Sequence, residues 1–222
     1  MLKIRGLNYS YDNVKNVLDN INFTIEEGKV YCLLGENGSG KTTLFKCLNG
    51  EVKCNLKKIV CNDDILFIHD EMKFYYYLTG KEYISLIMNF KSRSFNKEYY
   101  EYLLYKLKME DKINNKIFSY SLGMKHKLVL ITAFLLNYKY ILMDEPFTAL
   151  DYISSEIVID IVREYVKKNR AIVISTHMLD IAQEIGDKIL LLKDGKIVEL
   201  ENSFENSKEL KKKIKEINEK LL

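Results

Sequence analysis

A glycine-rich segment, Gly35–Thr42, has the residue types and the spacing to bind a phosphate group. It fits the pattern G-x-x-x-x-G-K-S/T, in which glycines let successive backbone N–H groups surround the anion. Lys41 can place its positive charge on the β- and γ-phosphates of a nucleotide, and Thr42 offers a hydroxyl to Mg²⁺. The alternative is a plain glycine turn. An apolar run before the segment and a helical pattern after it favour phosphate binding.

Two carboxylates, Asp144 and Glu145, follow the apolar run Tyr140–Met143. Asp144 suits holding Mg²⁺ beside a bound nucleotide. Glu145 is placed to accept a proton from, or to orient, a water that attacks the γ-phosphate. Pro146, the only proline of the chain, has no N–H and must end the strand there. The alternative is that Asp144 and Glu145 are an ordinary acidic strand end. The phosphate-binding segment earlier in the chain argues against this interpretation.

Three further segments carry polar groups at places where a ligand could bind. Ser121 is a natural N-cap, and Lys125 and His126 follow in the first turn of the predicted helix. The helix dipole disfavours cations in the first turn, so a bound anion would explain the position of these two residues. The segment Thr148–Asp151 follows the acidic strand. His177 comes after the next predicted strand, which places its imidazole at the carboxyl edge of the sheet, where such sheets bind ligands.

The elements that must position these residues can be predicted from periodicity. Alternating polar and apolar residues predict strands at Lys3–Tyr9 and Asn20–Ile25, and a continuous apolar run predicts a fully buried strand at Val30–Leu34. Further strands are predicted near residues 57–60, 65–68, 140–143, 171–175, 188–192 and 196–200. Helices are predicted after the glycine segment to residue 49 and near 80–90, 96–107, 121–136, 151–168, 178–185 and 207–222.

Strands that alternate with helices predict a parallel α/β core, into which a helical lobe of about residues 80–136 is inserted. Thr79 and Glu82 form a predicted capping box at the start of that lobe. The C-terminal helix carries an apolar stripe and six lysines. Packing of the stripe on its own domain is favoured, and contact with a partner helix or an anionic membrane is the alternative.

Composition restricts the class of protein. The chain has 222 residues, 47% hydrophobic and 29% charged, which is typical of a globular domain, and its net charge of +3 does not indicate a nucleic-acid partner. The longest nearly apolar stretch, Leu128–Leu136, is far shorter than the roughly 20 residues of a spanning helix. No signal peptide is expected. Four cysteines without CxxC spacing are expected to be reduced thiols, which fits a cytosolic protein.

Together, and in this order along the chain, these motifs resemble those of the ATP-binding subunits of ABC transporters. Gly35–Thr42 resembles the Walker A loop, and Tyr140–Glu145 resembles Walker B with its catalytic glutamate. Tyr120–Met124 resembles the signature motif, Ala149–Asp151 resembles the D-loop, and His177 resembles the switch histidine. The resemblance implies an α/β fold with a P-loop NTPase core and mixed sheet, an N-terminal antiparallel β-subdomain and an inserted helical subdomain, all in one domain spanning residues 1–222.

The sequence departs from the family pattern in two places. The signature reads Tyr-Ser-Leu-Gly-Met instead of LSGGQ, a variant similar to those of bacterial export systems for peptides and drugs. Ile65–Thr79 resembles the Q-loop region, but Asp70 stands where the family has glutamine. An aspartate can still ligate Mg²⁺.

The resemblance implies a set of site residues. Catalytic roles fall to Glu145, His177 and Lys41, and Mg²⁺ ligation falls to Thr42, Asp144 and Asp70. Tyr11 occupies the place of the aromatic residue that stacks on adenine. The full set that would contact ATP is Tyr11, Gly35, Glu36, Asn37, Gly38, Ser39, Gly40, Lys41, Thr42, Thr43, Ser121 and Gly123.

The implied function is ATP hydrolysis that drives a separate integral-membrane permease, from the cytoplasmic face of the membrane. Such subunits form head-to-tail dimers, here a homodimer or a heterodimer, and Ser121 and Gly123 of one subunit would close over the ATP of the other. One alternative is a soluble ABC-type ATPase of an assembly or repair complex. Another is a nucleotide-binding regulator without turnover.

Tyr75–Tyr77 cannot all face one way, so a surface or partner contact is favoured over base stacking.

Overall fold

The computed structural model describes residues 1–11, 16–54, 59–60, 65–69, 73–94 and 96–220. These residues form two sheets and a set of surrounding helices. The strands are β1 (Leu2–Tyr9), β2 (Leu18–Ile25), β3 (Val30–Leu34), β4 (Ile59–Val60), β5 (Ile65–Ile68), β6 (Tyr140–Asp144), β7 (Ala171–Ser175), β8 (Lys188–Lys193) and β9 (Lys196–Glu201). The helices are α1 (Lys41–Leu48), α2 (Gly80–Phe90), α3 (Lys97–Lys106), α4 (Leu122–Leu136), α5 (Tyr152–Val166), α6 (Leu179–Ile185) and α7 (Ser207–Lys220).

The larger sheet has the strand order β5-β6-β7-β3-β8-β9. Its first five strands are parallel and β9 pairs antiparallel with β8, so the sheet is mixed. Every residue of β3, β6 and β7 is buried, because helices and the N-terminal sheet together cover both faces of these central strands. This order places the carboxyl ends of β6, β7 and β3 side by side at one edge of the sheet. The predicted α/β fold with a mixed sheet is confirmed.

The N-terminal sheet has the order β2-β1-β4, and both pairs are antiparallel. Its inward side chains, including Leu2, Ile4 and Ile21, pack in one hydrophobic cluster with Phe45 of α1 and Tyr31 of β3. The antiparallel sheet is therefore fixed against the helix and strand that flank the glycine-rich segment.

Helices α2, α3 and α4 form the inserted helical segment. Ile84 of α2, Leu103 of α3 and Leu128 of α4 are fully buried in a cluster that continues into the main core. The predicted capping box is present: the Glu82 N–H donates to Thr79 Oγ1 at 3.2 Å, and the Thr79 N–H donates to Glu82 Oε2 at 2.8 Å. These bonds satisfy donors that the first helical turn leaves without a partner.

Replacing Thr79 with alanine is expected to lower the free energy of unfolding by about 0.5–2 kcal/mol, because the N-cap acceptor for the Glu82 amide is lost. Urea denaturation followed by circular dichroism would measure the change. Thr79→Ser retains the hydroxyl and should stay within a few tenths of a kcal/mol of the wild type. Equal stability of Thr79→Ala and wild type would show that the capping box is energetically unimportant.

The C-terminal helix α7 packs on its own domain, as favoured from the sequence. Leu210 is fully buried, and Ile214 and Ile217 pack against the main cluster. Lys193 at the end of β8 donates to the backbone oxygen of Asn218 at 3.2 Å, which ties the helix to the sheet. Within the described part of the chain, no helix is both long and apolar enough to cross a membrane.

Candidate nucleotide-binding site

The glycine-rich segment connects the carboxyl end of β3 to the first residue of α1. Gly40 has a φ of 104°, which side-chain-bearing residues rarely adopt. A Cβ on Gly35 would lie 2.7 Å from the backbone oxygen of Leu192 in the neighbouring strand. The glycines thus allow both the tight turn and its close approach to the sheet.

Lys41 lies inside this turn. Its side chain is buried, and its ammonium donates to the backbone oxygens of Gly35 at 2.8 Å and Glu36 at 3.2 Å. The first turn of α1 contains no acidic residue, so its positive end is not neutralised locally. The loop therefore concentrates positive charge at the site where the sequence predicts a phosphate.

Thr42 and Asp144 meet across the site. The Thr42 hydroxyl donates to Asp144 Oδ2 at 2.6 Å, and the Ser175 hydroxyl donates to Asp144 Oδ1. Asp144 is only 6% exposed, so these donors replace the hydrogen bonds that its carboxyl group would make to water. A hydroxyl and a carboxylate are hard oxygen ligands of the kind Mg²⁺ prefers. The donor set fits that ion together with phosphate oxygens.

The side chains that the structure describes do not form a complete metal site by themselves. Among the described residues, no group of three or more His, Cys, Asp or Glu side chains could hold a metal ion. This arrangement is typical of Mg²⁺ sites that take most of their ligands from water and substrate phosphates. Asp70, the third predicted metal ligand, lies outside the described residues.

Glu145 and His177 face each other beside this pair. Both carboxylate oxygens of Glu145 lie 3.1 Å from His177 Nδ1. The His177 side chain is 60% exposed and that of Glu145 only 15%, so the carboxylate is at the bottom of the site and the imidazole at its rim. A carboxylate in this position can take up a proton or orient a water, and the imidazole can hold it in place.

Residues of the glycine-rich segment line two cavities of about 820 and 530 Å³. Lys41, Thr42, Asp144 and Glu145 line the smaller one. The larger one is lined by residues 35–39 of the segment, by His177, and by Ile214 and Asn218 of helix α7. The predicted phosphate, metal and catalytic residues of the described chain are thus brought together at one edge of the sheet.

Tyr11 lies between the two cavities and lines both. Its hydroxyl is 2.8 Å from Thr43 Oγ1, and its ring packs edge-on against Tyr9 at 5.0 Å. The Tyr11 side chain is nevertheless 64% exposed. One ring face can therefore contact a planar group without displacing the core.

Ser121 and Gly123 lie elsewhere. Neither is among the described residues that line the two cavities. Ser121 caps α4 by accepting from the Met124 N–H at 3.2 Å, and a Cβ on Gly123 would lie 3.0 Å from the backbone oxygen of Ala149. The structure thus packs the signature segment against the D-loop segment and does not bring it to the chain's own phosphate loop.

The cationic residues at the start of α4 interact with other parts of the protein. Lys125 lies 5.0 Å from the centre of the Tyr76 ring, a cation–π contact, and His126 is buried. The bound anion expected from the sequence is therefore not required to explain Lys125. Asp151, which directly precedes α5, accepts hydrogen bonds from the Ser154 N–H and hydroxyl. These bonds hold the pKa of the Asp151 carboxyl below its usual range.

Sequence reasoning did not identify Ser175 as a site residue. Its side chain is fully buried between Asp144 and the backbone of Glu145. The available signal was a hydroxyl in the last position of an otherwise apolar strand, a place where a buried polar group needs a partner.

The comparisons with known proteins agree with this geometry. A family model described as ABC transporter matches residues 18–148. The uncharacterized ABC transporter ATP-binding protein MJ1023 of Methanocaldococcus jannaschii is 30% identical over 200 residues, covering 89% of this chain and 76% of the relative. The phosphonates import ATP-binding protein PhnC of Fusobacterium nucleatum is 29% identical over 239 residues, covering 92% and 94%.

The solved structures include one described as an ATP binding subunit of an ABC transporter. It superposes with a TM-score of 0.82 at 26% sequence identity, covering 90% of each chain. Fold, motif order and sequence similarity extend over most of the chain. The chain belongs to the ABC transporter family, as one of its ATP-binding and ATP-hydrolysing subunits.

Proposed function

We propose that this chain, as a single ABC ATPase domain spanning residues 1–222, powers a separate integral-membrane permease by hydrolysing ATP. The observation that carries the proposal is the meeting of a buried lysine, a hydroxyl–carboxylate pair and a glutamate–histidine pair at one sheet edge. Phosphoryl transfer to water needs mainly positioning and charge neutralisation, and these groups supply both.

Each group has a distinct role in the proposed mechanism. Lys41 exchanges its backbone acceptors for the β- and γ-phosphates of ATP, which the backbone N–H groups of the turn also bind. Thr42 and Asp144 would hold Mg²⁺, which would neutralise phosphate charge when bound. Glu145 orients the attacking water and accepts its proton, and His177 fixes that carboxylate. Asp70 stays a proposed metal ligand on the basis of sequence alone.

The active form is proposed to be a head-to-tail dimer, either of two copies or with a second ABC ATPase subunit. The position of Ser121 and Gly123 away from the chain's own cavities supports this arrangement. In it, the exposed N-terminus of α4 would face the ATP of the other subunit. The dimer would lie on the cytoplasmic face of the membrane through its permease, and no nucleic-acid partner is proposed.

Export of a peptide or drug-like substrate is the finer proposal. Its support is the Ser-Leu-Gly-Met-Lys signature variant, which resembles export systems. The relative PhnC is named for import, so direction requires its own test. Vesicles containing the complex with the ATP site outside would accumulate substrate if it exports, and substrate-loaded vesicles would empty if it imports.

Purification of the chain from native membranes would test the permease. A copurifying integral-membrane protein, together with phosphate release by the complex, is expected. A soluble assembly or repair complex is favoured instead if the copurifying proteins lack membrane spans. Absence of phosphate release from a complex that binds ATP would indicate a regulator without turnover.

Replacing Tyr11 with alanine is expected to weaken ATP binding about 5–150-fold, because loss of an aromatic stacking partner costs about 1–3 kcal/mol. Tyr11→Phe keeps the ring and loses only the hydroxyl contact with Thr43, so its affinity should stay within about fivefold of the wild type. Calorimetric titration would measure both. Equal affinity of the alanine variant and wild type would remove Tyr11 from the adenine site.

A further inference from the structure

Ser175 lies at the end of β7, beside the two carboxylates that end β6. It is fully buried, and it is not among the described residues that line either cavity. Its hydroxyl donates to Asp144 Oδ1 and accepts from the Glu145 N–H at 3.1 Å. One hydroxyl therefore connects two residues with different proposed roles.

The direction of these hydrogen bonds is fixed by chemistry. An ionised carboxylate can only accept and a backbone N–H can only donate, so the Ser175 proton must point to Asp144 and a lone pair must face Glu145. The other oxygen of Asp144 accepts from Thr42. A continuous chain of hydrogen bonds thus runs from Thr42 through Asp144 and Ser175 to the backbone of Glu145.

Glu145 needs this support because its backbone is strained. Its φ is 49°, in the left-handed region that costs a residue with a side chain on the order of 1–3 kcal/mol. The Glu145 N–H is held by both the hydroxyl and the backbone oxygen of Ser175, the latter at 3.2 Å. This conformation directs the Glu145 carboxylate to His177.

We propose that Ser175 is a positioning residue for ATP hydrolysis, whose hydroxyl couples the metal-holding pair Thr42–Asp144 to the orientation of Glu145. The inference rests on the proposed roles of Asp144 and Glu145. Because Ser175 is fully buried and lines neither cavity among the described residues, it would act through the two carboxylate residues. Removal of its hydroxyl takes away the donor to Oδ1 of the buried Asp144 carboxylate. It also removes one of the two acceptors of the Glu145 N–H.

The first test measures hydrolysis by the Ser175→Ala variant. Its kcat is expected to fall about 10–100-fold, the usual cost of losing a partner that orients a metal ligand. Its Mg²⁺ requirement for half-maximal activity should rise, and its ATP affinity without Mg²⁺ should change less than about twofold, because Lys41 and the loop are intact. Ser175→Thr retains the hydroxyl and should recover most of the kcat.

The second test uses binding without turnover. In the Glu145→Gln background, calorimetry would give the ATP affinity with and without Mg²⁺. Ser175→Ala is expected to reduce the gain in affinity that Mg²⁺ provides by about 10-fold or more. An unchanged gain would overturn the link to the metal-holding pair.

Thr132→Val is a matched control, since Thr132 is also buried and its hydroxyl donates to the Leu128 backbone oxygen at 2.7 Å inside α4. It should lower thermal stability without changing kcat or the Mg²⁺ requirement. If Ser175→Ala does the same, Ser175 is only structural and the proposal is wrong. If Ser175→Ala does not fold, Ser175→Cys supplies the test, because its thiol is a weak donor. A folded cysteine variant with wild-type kcat and Mg²⁺ requirement would also overturn the proposal.

The experiments separate this inference from the function on which it rests. If the wild-type complex neither binds nor hydrolyses ATP, the proposed function fails. If the wild type is active and Glu145→Gln is slow while Ser175→Ala behaves like Thr132→Val, only the positioning role fails.

Discussion

Replacing Lys41 with alanine is expected to abolish tight ATP binding. The Lys41 ammonium is the only cationic side chain of the Gly35–Thr42 segment, and its position inside the turn places it to bind two phosphates. Hydrogen bonds to charged groups contribute roughly 1.5–3 kcal/mol each, so loss of both should weaken affinity about 100-fold or more. Calorimetric titration with ATP would measure the dissociation constant, and an unchanged value would contradict the assignment of the phosphate site.

Lys46→Ala provides a matched control for this result. Lys46 also lines the smaller cavity, but it lies in the last turn of α1, about 7.5 Å farther along the helix. Its removal should change ATP affinity less than about fivefold. A larger loss for Lys46→Ala than for Lys41→Ala would mean that the phosphates bind at the other end of the cavity.

Glu145→Gln is expected to bind ATP but to hydrolyse it about 10²–10⁴-fold more slowly than the wild type, because an amide cannot act as a base. The neutral side chain keeps the size of glutamate and can still contact His177. With hydrolysis slowed, the ATP-bound dimer should accumulate. Sedimentation velocity with and without ATP would show the dimer, and phosphate release would show the rate.

Glu199→Gln controls for loss of a carboxylate in general. Glu199 pairs with Lys188 at 2.6 Å and lines neither cavity among the described residues. Its turnover should match that of the wild type, and it should not accumulate a dimer with ATP. Normal turnover of Glu145→Gln, with a persistent monomer, would contradict the role of Glu145.

Local patterns in the sequence are sufficient to predict the strands and helices of this fold. The continuous apolar run Val30–Leu34 predicts a fully buried strand, and every residue of β3 is indeed buried. The Thr79 capping box and the N-cap at Ser121 are also local patterns, and both are present in the structure. The glycine-rich segment was predictable because its chemistry depends on residues close together in the chain.

Contacts between distant segments could not be predicted in the same way. Ser175 is 31 residues from Asp144, and their hydrogen bond exists only because β6 and β7 pair in one register. The Tyr11–Thr43 contact spans 32 residues, and the left-handed backbone of Glu145 has no signal in residue type. The cation–π contact of Lys125 likewise depends on tertiary packing of the segment at Tyr76.

The strand order also affects how the chain folds during synthesis. Strand β3, which precedes the phosphate loop, pairs on one side with β7 and on the other with β8, and both lie in the last quarter of the chain. Until they leave the ribosome, β3 has two unpaired edges of the kind that promote aggregation. ATP therefore cannot stabilise an early folding intermediate through the complete site, and chains that terminate before residue 171 are expected to depend on chaperones for solubility.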